Sequence, residues 1–315
     1  MTSTTHSRPL TMSQPKPDSA LEQIHSVFVL YPRLKELHQE IGRCRQLSQA
    51  AGEPQCMALE GATGAGKTTL IRQYIAKYPR RETHQGTHIP VFYLETPSPA
   101  TVKTMASVML EKLGDPAAYI GTVGALNSRL VKLLQACEVE LVILDDYHHL
   151  IDTETDRVLA KVSDWLKVLI KETEIPFLVV GIEGKVERIL QANAQLSRLF
   201  AARETLSPFT WLPDQPESIQ AFHVFVNTLE ASIGRPLTTT LPRTELLYRL
   251  YFSTGGVVGN MMNLLRYAVK LADEQSQAAL DLPLLACAYE KRLAKHMRRV
   301  NPFTVPAQER FVAPG

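Results

Sequence analysis

Met57-Ala58-Leu59-Glu60-Gly61-Ala62-Thr63-Gly64-Ala65-Gly66-Lys67-Thr68 carries a short apolar run straight into a glycine-rich turn that ends on a lysine and a hydroxyl. From Gly61 the spacing is G-x-x-x-x-G-K-[ST], and a helix-like stretch from Thr69 to Lys77 follows it. Strand, turn and helix in that order let successive backbone N–H groups point inward around phosphate oxygens at the positive end of a helix. In such a loop Lys67 reaches the β and γ phosphates, and the Thr68 hydroxyl ligates Mg2+. Gly61, Ala62, Thr63, Gly64, Ala65, Gly66, Lys67, Thr68 and Thr69 are thus the expected contacts of ATP.

The other half of a phosphate site lies further along, at Leu141-Val142-Ile143-Leu144-Asp145-Asp146, where a buried strand delivers two carboxylates at its C-terminal end. Asp145 is placed to hold the Mg2+ shell and Asp146 to polarise an attacking water, the two tasks phosphoanhydride hydrolysis needs beside the loop. The strand-like run Val91 to Glu95 falls between the two motifs and suggests a strand inserted between the phosphate-site strands, as in hydrolytic P-loop ATPases. His148 and His149 follow at once. Adjacent histidines point apart, which argues against joint metal ligation; one of them contacts nucleotide or a neighbouring subunit, or both begin a solvated loop.

Around this site, apolar runs at Cys56 to Leu59, Val91 to Glu95, Leu141 to Leu144, Phe177 to Gly181 and, weakly, Glu204 to Phe209 alternate with amphipathic helices. That alternation predicts an α/β fold, a parallel five-stranded sheet with helices on both faces. After Leu212-Pro213-Asp214-Gln215-Pro216 only helical patterns remain, near 216–232, 243–252, 257–272 and 283–299. The domains expected are a disordered arm at 1–19, a nucleotide-binding α/β domain with N-terminal helices at 20–214, a helical lid at 215–299 and an extended tail at 300–315. Upstream, Tyr31-Pro32-Arg33 breaks a helical pattern into two.

Composition narrows the function. At 315 residues with 45% apolar and 21% charged residues, the chain has material for sizeable cores. Lys plus Arg at 34 against Asp plus Glu at 32 leaves a net charge of +2, so nucleic-acid binding must come from local patches. Four scattered cysteines without a C-x-x-C argue against a zinc site or a disulfide scaffold. No apolar leader opens the sequence and no apolar run could span a bilayer, so a cytoplasmic protein without a membrane partner is expected.

Taken together, the loop, Asp145-Asp146-Tyr147-His148-His149-Leu150, Val29-Leu30-Tyr31-Pro32-Arg33, Gly181-Ile182-Glu183, Gln195-Leu196-Ser197-Arg198-Leu199-Phe200, Thr254-Gly255-Gly256 and Asn301-Pro302-Phe303 resemble an AAA+ ATPase. More narrowly, they resemble the TniB/TnsC family of transposition ATPases, with MuB a more distant relative. The resemblance implies an ATP- and Mg2+-dependent homo-oligomer, ring or helical filament, on double-stranded DNA, linking a target-selection protein to a DDE transposase. It puts Tyr31, Pro32 and Arg33 beside the adenine and a γ-phosphate sensor at the end of the 177–181 strand. Three departures stand out: Gly181-Ile182 where Thr, Ser or Asn is usual, Met262 where the lid helix commonly has Arg, and Asp146 for Glu. They suggest a slow switch rather than a fast motor.

The resemblance also implies DNA contacts at helix starts, here Thr101 and Lys103 in the stretch that opens one helix and Thr122 before the next. Hydroxyls, backbone amides and a lysine there suit phosphate tracking without base reading. A solvated surface lysine is the other reading of Lys103. With no basic residue at the sensor positions, hydrolysis needs an arginine from a neighbouring subunit, and Arg198 or Arg203 stands where the resemblance puts such contacts. The basic run Lys291, Arg292, Lys295, Arg298 and Arg299 reads as a second DNA patch or a partner surface. A clamp or helicase loader or an initiator would share every nucleotide motif. A P-loop small-molecule kinase fits less well, because the carboxylate pair suits the activation of water.

Overall fold

In a computed structural model of the chain, the residues described are Ile24 and 27–306, apart from 52, 85, 153, 154 and 239. The arm expected at 1–19 and the end of the tail lie outside them.

The first compact unit is Leu30–Phe222 with Thr254–Met261. Its described strands in the main sheet are β1 (Met57–Gly61), β4 (Val91–Glu95), β5 (Leu141–Asp145), β6 (Phe177–Ile182) and β7 (Ala202–Leu206), in the order β4-β5-β6-β1-β7. All pairs are parallel. A strand does separate the two phosphate-site strands, but it is β6; the run at 91–95 forms the edge. A two-stranded hairpin, β2 (Arg81–Thr83) and β3 (Gly86–His88), stands apart from the sheet.

Around the sheet come α1 (Pro32–Ala51), α2 (Lys67–Ile75), α3 (Val102–Leu113), α4 (Val123–Ala136), α5 (His149–Asp152), α6 (Asp156–Thr173), α7 (Lys185–Gln191) and α8 (Ala194–Leu199). Pro32 is tolerated because it opens α1, where its missing N–H would have no acceptor. Every residue of β5 is buried, as a strand covered on both faces must be. Leu94, Met105, Met109, Leu126, Leu130, Leu144, Leu166, Phe177 and Val179 belong to one continuous apolar core. Each such side chain contributes about 1.5–3 kcal/mol through burial. The core holds the C-terminal ends of β1, β5 and β6 in fixed register, and the functional residues sit there.

The second unit takes His223–Ser253 and the described residues from Met262 on, together with those before Leu30. Here the chain forms most of α9 (Pro216–Ile233), α10 (Arg243–Thr254) and α11 (Val258–Glu274), then α12 (Leu282–Arg292) and α13 (Ala294–Met297). Phe225, Leu229, Leu246, Leu250, Leu265, Val269, Leu285 and Tyr289 are buried. Arg249, also buried, donates to Pro302 O and Val305 O at 2.6 Å each and to Glu245 Oε1. Of the tail expected at 300–315, Asn301 and Phe303 are therefore packed into this unit.

The basic run is not one helical face. α12 ends at Arg292, and Arg298 caps α13 in the left-handed region with φ 51°. Arg299 turns back to donate to Phe252 O, which removes it from the set of exposed cations.

Candidate nucleotide site

β1 lies between β6 and β7, and Gly61 closes it. A Cβ on Gly61 would stand 2.3 Å from Leu206 O, so only glycine lets β7 approach so closely. Beyond it, Gly64 (φ 79°) and Gly66 (φ 106°) take left-handed conformations that would cost other residues about 1–2 kcal/mol each. Ala65 is buried and donates its N–H to Ala62 O at 3.1 Å, which tightens the loop. Gly66 caps α2, whose first N–H groups have no acceptor one turn back. The sequence thus leaves a ring of backbone donors at a helix start, with Thr68 half-buried beside them and Thr69 on the exposed face.

Lys67 is buried, and its Nζ donates to Gly61 O at 2.7 Å and Ala62 O at 3.0 Å. Burial pushes its pKa down, against the pull of the Asp145, Asp146 and Glu183 charges. Its carboxylate neighbours attract it without closing on it.

Asp145 is 1% exposed. The Tyr93 hydroxyl donates to its Oδ2 at 3.2 Å, and the Asp146 N–H to its Oδ1 at 2.9 Å. Burial first, then the Asp145 charge, pushes the Tyr93 phenol well up, so it stays a donor. Asp146 turns out of the strand with φ 51° and stands 37% exposed at its side chain. One carboxylate is buried and held, the other is presented. With a buried ammonium, a helix-start hydroxyl and a fixed carboxylate, the donor set fits a triphosphate with a divalent cation. Among the described residues no group of three His, Cys, Asp or Glu side chains could hold a metal by itself.

The side expected to face a base is built from Tyr31. It is buried, its ring lies 4.9 Å from that of Phe209, and burial pushes its phenol up to about 12. Phe209 N–H donates to Gly256 O, and Gly259 N–H to Gly64 O at 2.8 Å, so an unbroken path of contacts runs from Tyr31 to the phosphate loop. Arg33 reaches instead to β7, donating to Glu204 Oε2 at 2.7 Å and Thr205 O at 3.0 Å.

Arg198, on α8, is exposed, and no hydrogen bond or ion pair engages it among the described residues. Arg203 is engaged: it donates to Phe200 O, to Ser197 O and Oγ, and to both oxygens of Glu187. Glu187 N–H and Gly184 N–H in turn donate to Glu60, the residue before the loop glycine. Lys103 is exposed. Thr101 caps α3 in a reciprocal box with Thr104, and Thr122 caps α4 through Ala125 N–H. Glu60, Tyr93, Glu183 and Phe209 were not foreseen as site residues. Tyr93 left a signal, a polar-tipped aromatic within an apolar strand run.

The profile described as Bacterial TniB protein matches residues 21–210. Among solved structures, the Aeropyrum pernix ORC1 protein in complex with DNA is 17% identical, with 87% of this chain and 69% of that one covered at a TM-score of 0.59. Cdc6p from Pyrobaculum aerophilum is 14% identical, with 86% and 71% covered at 0.61. Drosophila ORC bound to DNA is 14% identical, with 93% and 72% covered at 0.54. At these identities the likeness is one of fold alone. No curated protein matches. No helix among the described residues is long and apolar enough to cross a membrane.

Proposed function

The chain belongs to the TniB family, and from that premise we propose that it is an ATP-dependent regulator of DNA transposition. It oligomerises on double-stranded target DNA, as a ring or filament, and links a target-selection protein to a DDE transposase. The observation that carries the reading is the pairing of a buried Lys67 in a glycine loop with one fixed and one presented carboxylate, Asp145 and Asp146.

The loop N–H groups and Lys67 bind the β and γ phosphates, Lys67 exchanging its two carbonyl partners for phosphate oxygens. Thr68 and Asp145 would hold Mg2+, which when bound would supply neutralisation of charge on the phosphate oxygens. Asp146 takes the proton of the attacking water. Tyr31 and Phe209 supply an aromatic wall for the base, with Pro32 fixing the turn beside it. Arg198, exposed and unengaged, serves a neighbouring subunit's pocket; Arg203 is the weaker candidate because its donors are already in use. Thr101, Lys103 and Thr122 track DNA phosphates.

Two inactive variants, Lys67→Ala and Arg198→Ala, are mixed on duplex DNA. Partial recovery of ATP hydrolysis is expected, since some interfaces then join an intact pocket to an intact arginine. DNA binding by the parent that ignores ATP would overturn the reading. A clamp loader or initiator would use the same pocket but would leave a transposase unstimulated.

A further inference from the structure

The strand end beside Asp146 cannot carry a side chain of its own. A Cβ on Gly181 would stand 2.6 Å from Val186 Cγ2, 3.3 Å from the His148 main-chain nitrogen and 3.4 Å from His148 Nδ1. Val186 and His148 fill that place; His148 is 8% exposed, and its ring lies against that of His149, centroids 4.7 Å apart, although adjacent histidines were expected to point apart. The polar group at the end of β6 thus comes from the loop after β5.

His148 Nδ1 is 3.9 Å from Asp146 Oδ1, too far for a hydrogen bond but within a small side-chain rotation of one. Catalytic hydrogen bonds often tighten only when substrate is bound. Asp145 is anchored by Tyr93 and by a main-chain N–H. Asp146 has no such anchor, and among the described residues His148 is the one ionisable side chain at ion-pair distance from it.

We infer that His148 is a positioning residue for Asp146, its imidazole N–H holding one carboxylate oxygen so that the other faces the attacking water. The inference rests on the reading of Asp146 as the group that accepts the water's proton. It assigns a task to the histidine, which packs beside Gly181: a Cβ there would meet Val186 Cγ2 first, at 2.6 Å, and the His148 main chain and ring next, at 3.3 and 3.4 Å.

Steady-state ATP hydrolysis on duplex DNA by the parent, His148→Phe and His148→Asn tests it. Phenylalanine keeps the ring and loses the donor; asparagine puts an amide N–H near Nδ1. His148→Phe should lower kcat about tenfold, part of the roughly 10²–10⁴ a general base supplies, with KM for ATP changed less than about twofold. His148→Asn should recover several-fold of that loss. A kcat for His148→Phe equal to the parent's would overturn the inference, and so would equal losses in both variants, which would mean packing alone. A parent that does not hydrolyse ATP while Asp146→Asn behaves identically would instead break the underlying reading.

Discussion

Lys67 and Arg249 are both buried cations that donate to main-chain carbonyls, one in each unit of the chain. They differ in what closes the arrangement. Arg249 adds a carboxylate, Glu245 at 2.6 Å, to two carbonyls from the Asn301–Val305 turn, and its planar fork is spent on three partners. Lys67 has only two carbonyls of its own loop, while the charges of Asp145, Asp146 and Glu183 act on it from beyond contact and burial depresses its pKa. A buried cation sealed by an anion is part of the scaffold. One left short of an anion is ready to receive one.

The largest effect that sharpens this contrast is on the carboxylates. Asp146→Asn should slow ATP turnover by about 10²–10⁴ with ATP still bound and folding stability unchanged, whereas Glu245→Gln should do the reverse. Matched changes in both quantities for both variants would erase the distinction.

Next, Arg249→Ala should cost about 3–5 kcal/mol of stability, since it strips a buried group from a carboxylate and two carbonyls; chemical denaturation measures this. A loss below about 1 kcal/mol would mean that Arg249 is no keystone. Lys67→Ala should lower ATP affinity by about 1.5–3 kcal/mol, the worth of hydrogen bonds to a charged group, while leaving the denaturation midpoint near the parent's. Nucleotide titration and the same unfolding curve decide both halves. The smallest effect belongs to a third cation, exposed Lys103. Its replacement by alanine should reduce the log–log salt slope of DNA binding by about 0.9 per subunit, without sequence preference. An unchanged slope would make it a solvated lysine.

How far the sequence discloses each of these cations follows from what makes it visible. The glycine loop was legible because its shape is written in backbone demands, glycines at fixed spacing before a lysine, and the structure has left-handed φ at Gly64 and Gly66 where those demands fall. The four apolar strands were legible for the same reason that β5 is buried throughout. β7 was placed late, at 204–209 rather than 202–206, because an edge strand carrying Arg203 and Glu204 lacks the apolar run. The hairpin at 81–88 left no trace, since most of its strand residues are exposed. Arg249 was invisible too: apart from Glu245, one turn back, its partners are main-chain carbonyls over fifty positions away, and periodicity reads only apolar side chains. The Glu60 and Tyr93 contacts were hidden likewise, because parallel pairing brings together residues that sequence keeps far apart.

The contacts from Glu60 through Gly184 and Glu187 to Arg203, and from Arg203 to Ser197 and Phe200, have a thermodynamic meaning for Arg198. They hold the backbone on either side of it, and Asn193 caps the helix that bears it. Fixing the main chain of a loose segment would cost about 1–2 kcal/mol for every residue ordered; here that cost is met when the chain folds, and only the arginine's own rotamers, about 2 kcal/mol, are left to freeze on contact. An exposed arginine on such a mount loses its side-chain entropy alone when an anion meets it.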